Sequence, residues 1–471
     1  MRGREDLREY QTIGVKKVVE NEGVLLTLDP GLGKTVTTLT ALRDLLDTFT
    51  ITRALVVAPL LVAENTWPAE IEEWRHTRVL SYEVLTGGSE RRENRARREA
   101  DIHIINKENV PWLVEFWGDA WPYDCLVVDE SSCFRNPSKR NKPSKKAVEA
   151  YALDPENVPK PKGTITRFGA LCKVRKHFQR VVLLTGTPAP NGLLDLWSQM
   201  YLVDQGVRLG NTFNAFRTRW FESDYMGYKW TPRMHALETI TERITDVTLS
   251  LKAEDWLTLP ERIDNHVSVH LTPKMLEAYR KFEKTLMLED HDIEAMNNGV
   301  LTGKLLQYAS GGVYDEDGDA IILHDLKLKA LDALIDEANG KPVLVAYNYQ
   351  FDLARLRDRY KGVEVLGEGD NQVKRWNNGE IAVLLAHPAA ASFGLNLQHG
   401  GHITIWYSIP WSLEHYIQFN ARLLRSGQQA SSVIIHHIIA EGTIDNRVME
   451  VLEEKDASQE AIIRATLWQR D

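Results

Sequence analysis

The sequence predicts an α/β chain of two parallel-sheet domains in tandem with a helical insertion between them, and four observations carry that expectation. Short apolar runs of β-forming residues (24–28, 55–58, 102–105, 126–128 and 181–184) are separated by stretches of helical periodicity. Strands alternating with helices give a parallel sheet. After Leu259-Pro260 and a charged, helix-rich stretch, a second series follows at 343–346, 363–366, 381–385, 403–407 and 433–439. The length, 471 residues, exceeds what one hydrophobic core supports. Between the two series lies a region rich in Trp, Tyr and Phe at helical spacing with few strand signals. The expected division is therefore 1–205, an N-terminal sheet domain; 206–330, helical insertion and linker; 331–455, a C-terminal sheet domain; and 456–471, a tail.

Composition narrows the class. With 43% hydrophobic and 26% charged residues the chain is ordinary folded protein, not disordered sequence. Cys125, Cys133 and Cys172 are far apart and make no Cys-x-x-Cys pair, which argues against a disulfide framework or zinc site and fits a reducing cytoplasm. The N-terminus is charged with no apolar core behind it, and nowhere do eighteen apolar residues run together, so no export signal or membrane span is expected. The net charge of −9 hides a local asymmetry, because residues 135–180 hold 13 Lys and Arg against 3 Asp and Glu. Its first part, Arg135 to Lys146, is polar, proline-broken and aperiodic, and is expected to be a mobile surface loop. A second basic run, 91–98, has glutamates mixed in and reads as a solvated helix face.

The chemistry starts where the apolar run 24–28 drives into Asp29-Pro30-Gly31-Leu32-Gly33-Lys34-Thr35 and then an amphipathic run. That is a strand, a loop and a helix. Two glycines let backbone amides curl around a polyphosphate, the helix N-terminus adds partial positive charge, Lys34 reaches the β and γ phosphates, and Thr35 offers a hydroxyl to magnesium. The usual pattern has a further glycine six residues before the lysine, where Leu28 stands. Taken alone, the loop is also compatible with an ordinary glycine turn.

Leu126-Val127-Val128-Asp129-Glu130 supplies the partner: an apolar strand ending in two carboxylates, and parallel sheets present ligands at the carboxyl ends of their strands. Asp129 suits magnesium, and Glu130 suits the water that attacks the γ-phosphate in line. The plain alternative is an acidic cap after a buried strand. The second series of strands has no Gly-Lys-Thr loop, so one nucleotide site is expected to serve both halves from the cleft between them. In Tyr416 to Gln428, Arg422 and Arg425 lie three apart on an expected helix and share a face, where two guanidiniums suit a triphosphate held by the opposite domain. Spacing alone leaves a pair of surface charges open.

In this order the motifs resemble the Swi/Snf-type ATPases of the second superfamily of helicases and translocases, in the compact stand-alone form found in phages and bacteria. Leu7 to Val15 resembles that family's glutamine motif, which implies ATP as nucleotide and Gln11 on the adenine edge. Asp29 to Thr35 is similar to its phosphate loop, which also lacks the early glycine and implies nucleotide contacts from Pro30, Gly31, Leu32 and Gly33. Val57-Ala58-Pro59-Leu60 with Trp67 and Trp74 resembles motif Ia, a DNA-contacting turn. Leu184 to Asn191, with Leu196-Trp197, resembles motif III, which implies that Thr185, Gly186 and Thr187 couple hydrolysis to domain movement. Ser392 to Leu397 resembles motif V, giving Gly394 and Asn396 a coupling role. Gln418 to Gln428 resembles motif VI, with Gln418 at the nucleotide and Arg422 and Arg425 as arginine fingers. One departure is Ser131-Ser132, where the family has Ala-His. Another is Ile409, where an aspartate is expected.

The resemblance implies two RecA-like lobes with a helical insertion, hydrolysing ATP with Mg2+ to move along nucleic acid, duplex DNA before single strands or RNA. Lys139, Arg140, Lys142, Lys145 and Lys146 are the expected backbone contacts. A strand-separating helicase is the nearest alternative, and an ATP-gated binding protein with little turnover a further one. A monomer in the cytoplasm is expected, the host's if phage-encoded, with a partner protein supplying recruitment or a nuclease. His436-His437 reads as packing, not a metal site. Phe213, Phe216, Trp220 and Phe221, with Tyr225, Tyr228 and Trp230, read as the core of the insertion before a base-stacking platform.

Overall fold

The computed structural model describes residues 1–144, 148, 151, 153, 162–225, 229–285, 287–288, 293–294, 298–369, 371–391 and 395–467. The chain forms two units: Met1–Trp256 joined by the segment that returns from Ser458, and Leu257–Ala457. The stretch 206–330 is therefore not a body of its own. Its first 51 residues belong to the first unit and the remainder to the second.

The first unit is built on seven parallel strands: β1 (Gly23–Leu28), β2 (Ala54–Ala58), β3 (Tyr82–Val84), β4 (Ile102–Asn106), β5 (Cys125–Asp129), β6 (Arg180–Thr185) and β7 (Thr248–Leu251). Their order is β3-β4-β2-β5-β6-β1-β7. β1, β2, β4 and β5 are buried along their whole length, as a sheet covered on both faces requires. β7 escapes the sequence reading because Thr-Leu-Ser-Leu is too short to show a period. Phe216, Trp220 and Phe221 lie in the apolar core of this unit beside Leu126, Leu183 and Trp197, so they are packing. Tyr228 lies outside the described residues. Among the helices, α1 (Glu9–Glu20), α2 (Lys34–Asp47), α3 (Trp67–Glu73) and α4 (Leu196–Asp204) matter for the site. The expected tail is part of this unit, since Ser250 and Thr466 share a hydroxyl hydrogen bond (2.6 Å) and Lys252 pairs with Glu460.

The second unit carries six parallel strands: β8 (Glu261–His270), β9 (Val343–Ala346), β10 (Glu364–Val365), β11 (Val383–Ala386), β12 (Ile403–Trp406) and β13 (Ser432–Glu441), ordered β8-β13-β12-β9-β11-β10. β8 is an edge strand whose mostly exposed, charged residues hide it from a hydrophobicity search. His437 sits on β13, fully buried, bonded to the Tyr416 hydroxyl (2.9 Å), and burial depresses its pKa to about 4. His436 bonds the Asn265 amide (2.9 Å). Both histidines are packing residues, and no metal-binding cluster occurs among the described residues. No helix of the described residues is long and apolar enough to cross a membrane. The fold class is thus α/β with two parallel sheets in tandem, and the helical segments of 206–330 lie within the two units instead of forming an insertion between the sheets.

Candidate nucleotide-hydrolysis site

The strand order makes β5, β6 and β1 neighbours, so their carboxyl ends bring together three segments far apart in sequence. Asp129 pairs with Leu184 and Thr27 with Thr185. Glu130, Gly186 and the loop after Leu28 therefore emerge side by side.

The loop after β1 is shaped by its glycines. Gly31 (φ 93°) and Gly33 (φ 76°) occupy the left-handed region that other residues avoid, and Gly33 caps α2, which starts at Lys34. Thr35 falls in the first turn, where backbone N–H groups have no helical acceptor and face outward for an anion. Leu32 is fully buried and pins the loop's middle. Asp29 pins its start, because its carboxylate accepts from Ala253 N–H (2.9 Å) and its own N–H donates to Leu251 O (3.2 Å). Burial raises the Asp29 pKa, with the Ala253 bond working against that rise.

Lys34 Nζ donates to Leu28 O (3.0 Å). A Cβ placed on Gly186 would lie 3.6 Å from that ammonium and 3.4 Å from Leu28 O, so the Thr-Gly-Thr turn stands at contact distance from the loop. Thr185 Oγ1 accepts from Thr187 N–H (2.9 Å), which fixes the turn. Burial raises the Asp129 pKa, opposed by the Lys34 charge, the Trp67 indole and the Glu130 N–H. Glu130 itself has left-handed backbone (φ 54°, ψ 57°), an uncommon conformation for a non-glycine residue that redirects the chain at the second acid.

Gln11 does more than the sequence suggests. Its Oε1 accepts from Arg8 N–H (2.9 Å) and its Nε2 donates to Leu32 O (3.2 Å), tying α1 to the phosphate loop. One amide proton and a lone pair remain for a base edge. Beside it Met1, Arg2, Asp6, Arg8 and Trp74 line a cavity of ≈ 400 Å³.

Trp67, expected in a DNA-contacting turn, is fully buried instead. It stands at the start of α3 after a π-helical turn (Val62–Thr66), and its indole N–H donates to Asp129 Oδ2 (2.9 Å). A tryptophan after a proline turn gives no hint of such a bond.

In the second unit, α5 (Leu413–Asn420) stops before either expected arginine finger. Arg422 and Arg425 stand in consecutive tight turns, with Arg422 N–H on Phe419 O and Leu423 N–H on Asn420 O. The shared helix face expected from their spacing does not exist. Past Asn420, whose side chain accepts from Trp406 Nε1 (3.0 Å), the chain runs through turns to Gly427 (φ 87°). Tertiary bonds bring the two arginines to one segment all the same. Arg422, nearly buried, donates to Gln418 O (2.9 Å) and Leu395 O (3.2 Å), and Arg425 donates to Asn396 Oδ1 (2.6 Å). Gly394 lies outside the described residues.

The basic segment is less free than expected. Thr166 N–H donates to Lys139 O (3.1 Å), Asn141 N–H to Thr164 O (2.8 Å), and Arg140 to Gly163 O (2.9 Å), so an antiparallel bridge holds it against residues 163–166. Lys139 Nζ lies 5.1 Å from the Tyr201 ring centre. Lys139, Arg140 and Lys142 remain exposed, whereas Lys145 and Lys146 lie outside the described residues.

A glycine-bent loop and two acids at neighbouring strand ends of a parallel sheet define the candidate site. The model of the SNF2-related domain matches residues 10–310. Putative protein p41 of Acyrthosiphon pisum secondary endosymbiont phage 1 is 38% identical over 97% of this chain and 98% of its own length. An uncharacterized ATP-dependent helicase of Mycoplasma pneumoniae is 26% identical over 95% of this chain, which spans 41% of that protein. A solved structure titled Sulfolobus solfataricus SWI2/SNF2 ATPase core in complex with dsDNA overlaps with a TM-score of 0.43 at 21% identity, covering 98% of this chain and 93% of that one. The chain belongs to the SNF2-related family, and it is an ATP hydrolase of the helicase-like class.

Proposed function

We propose that this protein translocates along duplex DNA, driven by ATP hydrolysis. The observation that carries the chemistry is the convergence of Lys34, Asp129, Glu130 and Gly186 on three adjacent strand ends. The loop amides and Lys34 hold the β and γ phosphates, and Glu130 takes the proton of the attacking water. Asp129 and Thr35 supply a carboxylate and a hydroxyl, hard oxygen donors that suit Mg2+, which when bound neutralises charge building on the γ-phosphate. Arg422 and Arg425 stabilise that charge during turnover. Gln11 and the cavity beside it take the adenine.

The DNA half of the reading rests on the exposed Lys139, Arg140 and Lys142, held on a braced segment beyond Asp129-Glu130, and on the family resemblance. Phosphate contacts of this kind carry no sequence information, as a translocase needs. A monomer acting in the cytoplasm with a recruiting or nuclease partner completes the proposal.

The test is ATP turnover without nucleic acid and with single-stranded DNA, duplex DNA and RNA in parallel, together with displacement of a triplex strand and unwinding of a plain duplex. Stimulation greatest with duplex, and triplex displacement without unwinding, supports the translocase. Activation by single strands or RNA alone, with duplex unwinding, supports a helicase in its place.

A further inference from the structure

We infer that Ser131 and Gln199 form a buried positioning link that sets Glu130 according to the state of the Thr185–Pro188 turn. This rests on the reading of Glu130 as the proton acceptor.

Gln199 and Ser131 are each completely buried. The Ser131 hydroxyl donates to Gln199 Oε1 (2.7 Å), while Gln199 Nε2 donates to Pro188 O (2.6 Å) and Asp195 O (3.0 Å). Both amide protons and the carbonyl oxygen are thus used, and the partners lie on separate segments: the residue after Glu130, the end of the Thr-Gly-Thr-Pro turn, and the start of α4. The next residue back, Ser198, is also fully buried and donates to Arg135 O (2.8 Å), so α4 grips the chain after the acids at two points. The described backbone pairing of β5 with β6 ends at Asp129 and Leu184. Past that point the two loops are joined through Gln199.

An amide is a costly choice there. The neighbours on α4, Leu196, Trp197, Met200, Leu202 and Val203, are buried and apolar, and leucine at 199 would avoid desolvating an amide. A buried amide is tolerated because every bond is met, and such a group fixes one relative placement of the pieces it joins. The pieces joined here are those flanking Glu130 and the turn facing Lys34. Ser131-Ser132 is also one of the two places where this chain departs from the pattern it resembles.

The experiment compares wild type, Ser131→Ala, Gln199→Leu and the double variant, with and without duplex DNA. Turnover is expressed per active site, the sites being counted by binding of a fluorescent ATP analogue, so that partial misfolding drops out. Gln199→Leu should lower kcat per site about tenfold and move the ATP KM less than twofold. Ser131→Ala, which removes one oxygen and leaves the fold, should lower kcat about threefold. The double variant should be no slower than Gln199→Leu, the mark of one shared link. Wild-type kcat per site in both single variants, or strictly multiplicative losses in the double, overturns the inference. A wild-type enzyme indifferent to duplex DNA sinks the translocase reading without touching this comparison.

Discussion

Trp67 holds Asp129: its indole N–H reaches Oδ2 across 2.9 Å, with both side chains inside the protein. Burial raises the pKa of that carboxylate, and the indole is one of three groups opposing the rise. Trp67→Phe keeps most of the volume and removes the donor. A hydrogen bond to a charged group contributes about 1.5–3 kcal/mol, so turnover should fall about tenfold and the magnesium needed for half-maximal activity should climb. A magnesium titration of ATPase at fixed ATP checks this, and an unchanged midpoint would refute it.

Glu130→Gln separates binding from chemistry. The amide keeps the shape and leaves Asp129 in place, but it accepts no proton. Nucleotide affinity should stay within about threefold while turnover drops at least ~100-fold. Lys34→Ala should weaken both. Normal turnover in Glu130→Gln would assign the water to another residue.

The two arginines should differ in stability and agree in chemistry. Removing Arg422 leaves Gln418 O and Leu395 O without their donor, at a cost of about 1–3 kcal/mol in stability. Arg425→Ala gives up a solvent-exposed bond to Asn396 Oδ1 and should melt near wild type. Both should lose roughly 10³-fold in kcat with nucleotide affinity nearly intact, and lysine should restore little at either place. The readouts are thermal melting and single-turnover hydrolysis. Full activity in Arg425→Ala would remove it from the chemistry.

Neutralising Lys139, Arg140, Lys142, Lys145 and Lys146 together should weaken duplex binding for every sequence alike. For each phosphate no longer neutralised, the slope of log affinity against log salt becomes shallower by about 0.9. Titrations at several salt concentrations read that slope, and basal ATPase should not change. An unaltered slope would place the DNA elsewhere.

Asp352 should make the second unit sensitive to pH. It is fully buried, with Ser310 and Ser408 hydroxyls donating to its oxygens (2.8 and 3.0 Å), and burial pushes its pKa up to about 6. The folded value lies above the unfolded one of about 3.9, so the fold favours the protonated acid. The stabilisation is fully present below about pH 4 and is lost as pH rises through 6, a swing of ~3 kcal/mol. Asp352→Asn should flatten that decline and be the more stable form at pH 7.5. Urea denaturation at pH 5 and 7.5 decides it.

Consecutive residues are enough to specify part of the site. A glycine-bent loop between strand and helix, and two acids ending an apolar strand, are local devices, legible because their chemistry fixes their spacing. All ten apolar runs of the two series contain or overlap a strand of the two sheets. Whatever depends on residues meeting across the fold is set by packing instead. β7 and β8 exist because β1 and β13 offer them edges, not because their own patterns demand a strand. The segment 206–256 and the chain returning from Ser458 belong to the first unit because their side chains pack there. A shared helix for Arg422 and Arg425 is a local inference that the tight turns following Asn420 replace. Trp67 on Asp129, and Gln199 between Ser131 and Pro188, span 62, 68 and 11 residues of chain. No periodicity or motif spacing encodes such bonds, because they form only when sheet order brings distant strand ends side by side.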